Sequence, residues 1–156
     1  MIELFSRKPD VFELPIESHL TPIPIDETVS SLSVILMDSD YYDFIKNGQK
    51  VTDDLSIISQ EYLIPLKSRA WLDLCKLKSS GKTIDSKDIK KHKNDIFRLY
   101  QVLSLDTDIT LPQSIADDMR MFLGNLSDEP PDLKNLGIRN TSLEDVIGNL
   151  KNIYNL

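Results

Sequence analysis

The chain of 156 residues has few of the residues on which several large protein classes depend. Its single cysteine, Cys75, cannot form an internal disulfide and has no companion for a cysteine-ligated zinc site. The five glycines are not arranged to cradle a phosphate, so the P-loop and dinucleotide-binding fingerprints are absent. Neither an H-E-x-x-H motif nor a G-x-S-x-G elbow occurs. The sequence therefore gives no local support for these nucleotide-binding, zinc-peptidase and serine-hydrolase classes.

Long hydrophobic runs are absent as well. The longest apolar stretches extend over four to five residues, and the first ten residues contain no basic segment leading into an apolar one. We therefore expect no signal peptide, no membrane-spanning helix and a cytoplasmic location. Apolar residues make up 40% and charged residues 28% of the chain, the balance of a folded protein, so we expect a single domain over residues 1–156.

Positive charge is scarce overall but concentrated in one segment. The net charge is −7, yet the segment from Lys67 to Arg98 has ten basic and four acidic residues. The rest of the chain therefore carries a net charge of −13. Such a basic block is either an electrostatic footprint for phosphate groups or the solvated surface of lysine-rich helices.

Residues 1–58 predict strands. Apolar and polar residues alternate over 2–6, an apolar run extends over 32–37, and residues 55–58 suit a last strand. A short helix capped by Ser39 is expected between the second and third of these segments. Prolines in the N-terminal part favour loops and edge strands, and they are Pro9, Pro15, Pro22 and Pro24.

Residues 59–156 predict helices. In the first helix, over 60–78, Pro65 is expected to produce a kink or to delay the regular part, and Gly81 follows its end. Asp85 is expected to cap the second helix. The predicted apolar face of the first helix consists of Leu63, Leu66, Ala70, Leu74 and Leu77.

Capping boxes and apolar stripes predict the last two helices. Thr110 with Gln113, and Thr141 with Glu144, have the three-residue spacing of a capping box. The two stripes are Ile115, Met119, Phe122, Leu123 and Leu126, and then Leu143, Val146, Ile147, Leu150 and Tyr154. The predicted fold class is therefore α+β, with a small mixed or antiparallel sheet in the N-terminal third followed by a bundle of about four helices.

Three positions in this pattern allow a structural and a functional interpretation. Glu3 lies between two apolar residues on a predicted strand. Its carboxylate either faces solvent or binds a metal ion. Lys67 falls at the border of an apolar face, where a lysine either extends to solvent or directs its ammonium at a phosphate. His92 falls within the stripe of the second helix with Asp95 near its edge, and Asp95 has the spacing of a helix ion pair with Arg98.

Two segments containing these residues resemble a known protein family. The segments YLIPLKSRAWLDL (62–74) and GKTIDSKDIKKHKNDIFR (81–98) are similar to the later motifs of the AbiEii/AbiGii-type nucleotidyltransferases. That family includes abortive-infection and toxin proteins of toxin–antitoxin systems and belongs to the polymerase-β-like superfamily. The opening segment IELFSR (2–7) resembles the strand that carries the family's third metal carboxylate. The similarity extends over residues 1–103, and the last third matches only in its helical character.

The resemblance implies an enzyme that transfers a nucleoside monophosphate from a nucleoside triphosphate to an RNA or another acceptor. Two Mg²⁺ ions held by carboxylates would activate the attacking oxygen and stabilise the leaving pyrophosphate. The resemblance implies that Glu3 is a metal carboxylate and that Lys67 and Asp95 are catalytic residues. It also implies that Lys67, Lys91 and His92 bind the nucleotide phosphates, with the basic block holding the triphosphate or the RNA acceptor.

One motif of the family is not found in the 156 residues. In such enzymes a Gly-Gly or Gly-Ser followed by a D-x-D pair supplies the first two metal carboxylates. Asp38-Ser39-Asp40 has the D-x-D spacing, but it comes after the Glu3 strand with no preceding Gly-Ser, so we interpret it as a helix cap. We therefore expect a family member lacking its first quarter to third. Because Glu3 alone would hold two divalent ions poorly, we expect no efficient catalysis by these residues alone.

Three hypotheses follow from the sequence. The first is a nucleotidyltransferase-fold protein whose activity depends on residues upstream of this segment. The second is a non-catalytic remnant that binds RNA or a cognate antitoxin through its basic helices. The third is a scaffold that forms a homo-oligomer through an exposed sheet edge. In all three we expect no membrane partner.

Overall fold

The computed structural model describes residues 3–7, 20–23, 32–53 and 55–156, and it describes side chains for 38–53 and 55–156. Both helices and strands are present, so the predicted α+β class is confirmed. The chain divides into two compact units, residues 1–47 and 48–156. No helix in the described ranges is both long enough and apolar enough to cross a membrane.

The first unit contains a three-stranded mixed sheet. Its strands are β1 (Glu3–Arg7), β2 (Leu20–Ile23) and β3 (Leu32–Met37), in the order β1-β3-β2. β1 is parallel and β2 antiparallel to the central β3. Pro22 lies in the outer strand β2, which suits a residue without an N–H donor. Ile2, Pro9, Pro15 and Pro24, which entered the sequence prediction, lie outside the described residues.

A short helix, α1 (Ser39–Asn47), follows the sheet. Asp38, rather than the predicted Ser39, caps it, because the Asp38 carboxylate accepts a hydrogen bond of 3.0 Å from the Tyr41 N–H. Ser39 is already the first residue of the helix. The interpretation of the Asp38-Ser39-Asp40 segment as a helix cap is therefore confirmed.

The second unit begins with a β-hairpin that the sequence predicted only in part. β4 (Gln49–Thr52) pairs antiparallel with β5 (Leu55–Ile58), and only β5 was expected. The Gly48 carbonyl accepts hydrogen bonds from both the backbone N–H and the hydroxyl of Ser59. A Cβ at Gly48 would collide with the ring of Tyr62, so this position requires glycine.

Four helices follow the hairpin in the described chain. They are α2 (Gln60–Ser79), α3 (Ser86–Tyr100), α4 (Gln113–Asn125) and α5 (Leu143–Tyr154). α2 packs against α3 and α4, and one hydrophobic core includes side chains from all four helices. The α4 stripe is confirmed in full, since all five of its predicted residues are buried, and Val146, Leu150 and Tyr154 are buried on α5.

The predicted apolar face of α2 was wrong. The buried side chains are Ile64, Pro65, Ser68 and Trp71, whereas the predicted Leu63 and its neighbours along that stripe are only partly buried. Apolar residues occupy much of the circumference of α2, so helical periodicity alone does not select one face. Trp71 has the largest apolar surface, and its ring meets Phe122 of α4 edge to face at 5.4 Å between ring centroids. Packing against α4 therefore decides which face is buried.

Both predicted capping boxes were wrong, whereas the Asp85 cap of α3 is confirmed. Pro112 occupies the N-cap position of α4, and no side-chain cap forms there because the proline ring has no atom that accepts a hydrogen bond. The box of α5 lies one residue later than predicted, at Ser142 and Asp145. The Ser142 hydroxyl and the Ser142 backbone N–H both donate hydrogen bonds to the Asp145 carboxylate. These bonds, and the one from the hydroxyl most of all, lower the pKa of the Asp145 carboxyl below its ordinary value.

Pro65 lies inside α2 and removes one backbone hydrogen bond from the helix. The side chain of Tyr154 on α5 replaces this bond. A proline has no N–H, so the Glu61 carbonyl four residues earlier has no partner from the helix itself. The Tyr154 hydroxyl donates a hydrogen bond of 2.7 Å to this carbonyl. Tyr154 is almost fully buried, so the same side chain fills the core and satisfies the helix.

We expect Tyr154→Phe to lower the free energy of unfolding by about 1–2 kcal/mol, because it leaves the Glu61 carbonyl without a donor. In a Pro65→Ala background the helix supplies its own N–H, so the same change costs less. Urea denaturation of the four proteins of this double-mutant cycle gives the coupling energy. Equal costs of Tyr154→Phe in both backgrounds would contradict the assignment.

The alkaline limit of stability depends on the same hydroxyl. Burial, with a further contribution from the Glu61 charge, raises the pKa of Tyr154 well above its ordinary value. Above about pH 10, where an unfolded tyrosine ionises, the folded protein retains a proton that the unfolded chain loses, so stability falls as pH rises. We expect Tyr154→Phe to reduce this loss between pH 9 and about pH 11, measured by urea midpoints. Tyr100→Phe is the control, because Tyr100 is only partly buried.

For α5, we expect Ser142→Ala to lower the free energy of unfolding by about 1 kcal/mol through loss of the cap. Thr141→Ala changes the residue that sequence spacing favoured, and we expect a change within about 0.5 kcal/mol. Thermal or urea denaturation of both variants measures the difference. The reverse order of the two effects would place the cap at Thr141.

Candidate functional site

Helices α2 and α3 carry most of the residues predicted for the site, and they pack against each other. α2 ends at Ser79, and Gly81 takes a left-handed conformation with φ of +87° that reverses the chain. Asp85 then caps α3 by accepting a hydrogen bond of 2.8 Å from the Lys87 N–H. A short turn therefore brings the basic segments of both helices together.

Lys67 lies beside the buried face of α2. Its neighbour Ser68 is fully buried and donates its hydroxyl to the Ile64 carbonyl at 3.0 Å. At 100° per residue, Lys67 is about 90° from the centre of the buried face formed by Ile64, Pro65, Ser68 and Trp71. Its side chain is partly buried, as expected for a lysine at the border of an apolar face.

Lys91, His92 and Asp95 have different environments on α3. His92 and Asp95 are partly buried and three residues apart, so they share one flank of the helix, whereas Lys91 is exposed. Asp95 accepts a hydrogen bond of 2.9 Å from Arg98, which confirms the ion pair predicted from their spacing. The structure therefore places His92 and Asp95 together and leaves Lys91 on the solvent side.

Glu3, predicted as a metal ligand, is the first residue of β1 and pairs with Ser33 in the sheet register. Its side chain lies outside the part of the chain for which side chains are described. Among the described residues, no three His, Cys, Asp or Glu side chains gather as ligands.

Sequence reasoning missed a cleft on the other flank of α3. Its volume is about 670 Å³, and it is lined by α2, α3, the end of α4 and the following loop. The unexpected feature is Lys93, whose side chain is only 10% exposed. Its ammonium donates to the Glu129 backbone carbonyl at 2.9 Å and to the Glu129 carboxylate at 3.3 Å. Lys93 follows the buried Ile89 by four residues, and this spacing was the available signal.

The environment of Cys75 shows that several charges meet in this cleft. Cys75 is partly buried against the core, as expected for a lone cysteine. Burial raises the pKa of its thiol, the Glu129 charge raises it further, and the charges of Lys93 and Lys78 lower it. The thiol is therefore not an activated nucleophile. The charges that act on it come from α2, α3 and the loop after α4.

We expect the two partners of the Lys93 ion pair to differ in their effect on stability. Glu129 is 70% exposed, so Glu129→Gln leaves the buried ammonium bonded to the backbone carbonyl and costs less than about 1 kcal/mol. Lys93→Ala also removes the buried stem and the bond to the carbonyl, so we expect a cost of about 1–3 kcal/mol. Urea denaturation of both variants tests this order, and equal costs would contradict it.

Comparisons with known proteins complete the description of the site. No protein-family model matches the chain, and no curated protein or solved structure matches it either.

Proposed function

We propose that this chain is part of a nucleotidyltransferase of the AbiEii/AbiGii type. Such an enzyme transfers a nucleoside monophosphate from a nucleoside triphosphate to an RNA or another acceptor, with Mg²⁺. In this proposal Lys67 binds a phosphate of the triphosphate, and Asp95 is a second catalytic residue. Lys91 and His92 provide further contacts to the nucleotide.

The observation that carries the proposal is the arrangement of Lys67 and Asp95. Both side chains are partly buried, and they are presented by two helices that pack against each other. Partial burial restricts the side chain of Lys67, so less conformational entropy is lost when its ammonium binds a phosphate. The excess of basic residues between Lys67 and Arg98 adds a positive field around this position.

The remaining elements of the proposal come from the resemblance. Mg²⁺ would neutralise charge on the triphosphate and on the leaving pyrophosphate. Glu3 is proposed as one of its ligands, on a strand of the first unit. A cytoplasmic location and assembly of copies through a sheet edge also stay predictions.

We expect the 156-residue protein to bind a nucleoside triphosphate in the presence of Mg²⁺, and Lys67→Ala to weaken this binding about tenfold or more. The reason is the loss of a charge-assisted contact of about 1.5–3 kcal/mol. Isothermal titration calorimetry with each of the four triphosphates measures the affinities. Lys76→Ala is the matched control, because Lys76 lies on the same helix and is exposed.

Transfer is measured separately with α-labelled triphosphates and total RNA. Since the family's D-x-D carboxylates are not among these residues, we expect little label transfer, and we expect Asp95→Asn to lower that level while changing triphosphate affinity less than Lys67→Ala does. Circular dichroism of each variant shows whether the fold is retained. Unchanged binding in Lys67→Ala, or equal losses in Lys67→Ala and Lys76→Ala, would refute the assignment of Lys67.

The basic segment also supports a second candidate, an RNA-binding module without catalysis. Its surface includes exposed lysines such as Lys87, Lys90 and Lys91. An RNA affinity that falls steeply with salt, without triphosphate binding or label transfer, would favour this function. Binding of a cognate antitoxin in place of RNA would give a protein-binding module.

A further inference from the structure

The cleft between α2, α3 and the loop after α4 lies apart from the proposed nucleotide site. On α3, Lys93 and Lys90 line the cleft, whereas His92 and Asp95 share the other flank of the helix. On α2, Trp71 and the residues after it line the cleft, and Lys67 is not among the lining residues. A ligand in the cleft would therefore contact a different surface of the same helix pair.

Three lysines from two helices line this cleft, namely Lys78, Lys90 and Lys93. Lys78 donates to the Ser86 hydroxyl at 3.0 Å, and within the described chain neither Lys78 nor Lys90 has an ion-pair partner. Only Lys93 is neutralised, by Glu129. Helix α3 also begins at this end of the cleft, because Ser86, its first residue, lines it. The helical wall of the cleft is therefore positively charged.

The opposite wall limits which anions fit. It contains Asp128, Glu129 and Asp132, so an anion small enough to stay against the helical wall avoids close approach to these carboxylates, whereas a long polyanion such as RNA does not. The Glu129 carboxylate is 70% exposed, and exposed ion pairs contribute little free energy. A small dianion can therefore replace this carboxylate as the partner of Lys93, while Lys93 stays held by the Glu129 backbone carbonyl.

The volume of the cleft and its apolar lining indicate a second property of the ligand. A volume of about 670 Å³ is in the range of sites for small organic molecules and is much larger than a phosphate ion needs. Trp71 and Ile89 are only 5% and 8% exposed, so an edge of each side chain reaches the cleft, beside the exposed Pro130 and the lysines. The cleft thus combines a positive wall with room for a carbon-containing group.

We infer that this cleft binds a small phosphate monoester, with its phosphate on Lys78, Lys90 and Lys93 and its organic group against Trp71 and Ile89. The site is separate from that containing Lys67, and it does not require the nucleotidyltransferase proposal. Glu129 acts as an internal competitor for the ligand phosphate.

Ligand binding in this cleft can be measured with Trp71 and Cys75, which both line it and are the only tryptophan and the only cysteine of the sequence. Adenosine monophosphate in EDTA is a suitable probe, because it has the required chemistry and the chelator removes Mg²⁺. We expect a saturable change in Trp71 fluorescence and slower alkylation of Cys75 by iodoacetamide. Adenosine should give neither, and inorganic phosphate should bind more weakly than adenosine monophosphate.

Matched variants test each part of the inference. We expect Lys90→Ala to weaken binding of adenosine monophosphate about tenfold, with Lys76→Ala and Lys67→Ala close to the unmodified protein. Lys90 and Lys76 are both exposed, so neither substitution should disturb the fold. Glu129→Gln should strengthen binding about threefold, because it removes the competing carboxylate.

Four results with the unmodified protein, the Lys90 variant or RNA would overturn the inference. They are the absence of both signals, an equal response to adenosine, unchanged affinity in Lys90→Ala, and tighter Lys90-dependent binding of an RNA oligomer. Loss of adenosine monophosphate binding in Lys67→Ala alone would place the ligand in the proposed nucleotide site and refute the second site. Conversely, failure of triphosphate binding with retained Lys90-dependent binding would refute only the proposed function.

Discussion

The hydrogen bond from the Tyr154 hydroxyl to the Glu61 carbonyl is the constraint on which the helical unit depends. Pro65 removes the donor that α2 would otherwise supply at this point, two residues before Lys67. A side chain 93 residues away in the sequence provides the replacement. The bond thus joins α5 to the first turns of α2, where a carbonyl without a donor would favour local opening of the helix. The backbone that presents Lys67 is held in place by the end of the chain.

Helix α3 presents different polar side chains on the two sides of its buried face. A buried line through Ile89 and Ile96 faces the core, and polar side chains lie on both of its flanks. One flank carries His92 and Asp95, which belong to the proposed nucleotide site. The other carries lysines that line a cleft with a loop of opposite charge. Residues adjacent in sequence therefore belong to different surfaces, and the basic block of the sequence is not one continuous binding face.

Prediction from sequence succeeded where a helix has a single apolar face. The stripe of α4 is confirmed because its other side is polar, so burial has one solution. On α2 apolar residues surround much of the helix, and contact between Trp71 and Phe122 selected a face that spacing did not indicate. The α5 cap was missed by one residue, since Thr141 and Ser142 both have an acidic residue three positions later. Among the site residues, the Asp95–Arg98 pair was predictable because it depends only on helical spacing.

The sequence by itself determined the α+β class, the strand at 32–37, the capped start of α3 and the apolar stripe of α4. Each of these depends on interactions between residues a few positions apart, which local patterns encode. Only the tertiary structure decided which face of α2 is buried, that Tyr154 satisfies Glu61, and that Lys93 meets Glu129 in a cleft. The partners in these contacts are 36 or more residues apart, so their geometry exists only after the helices have packed.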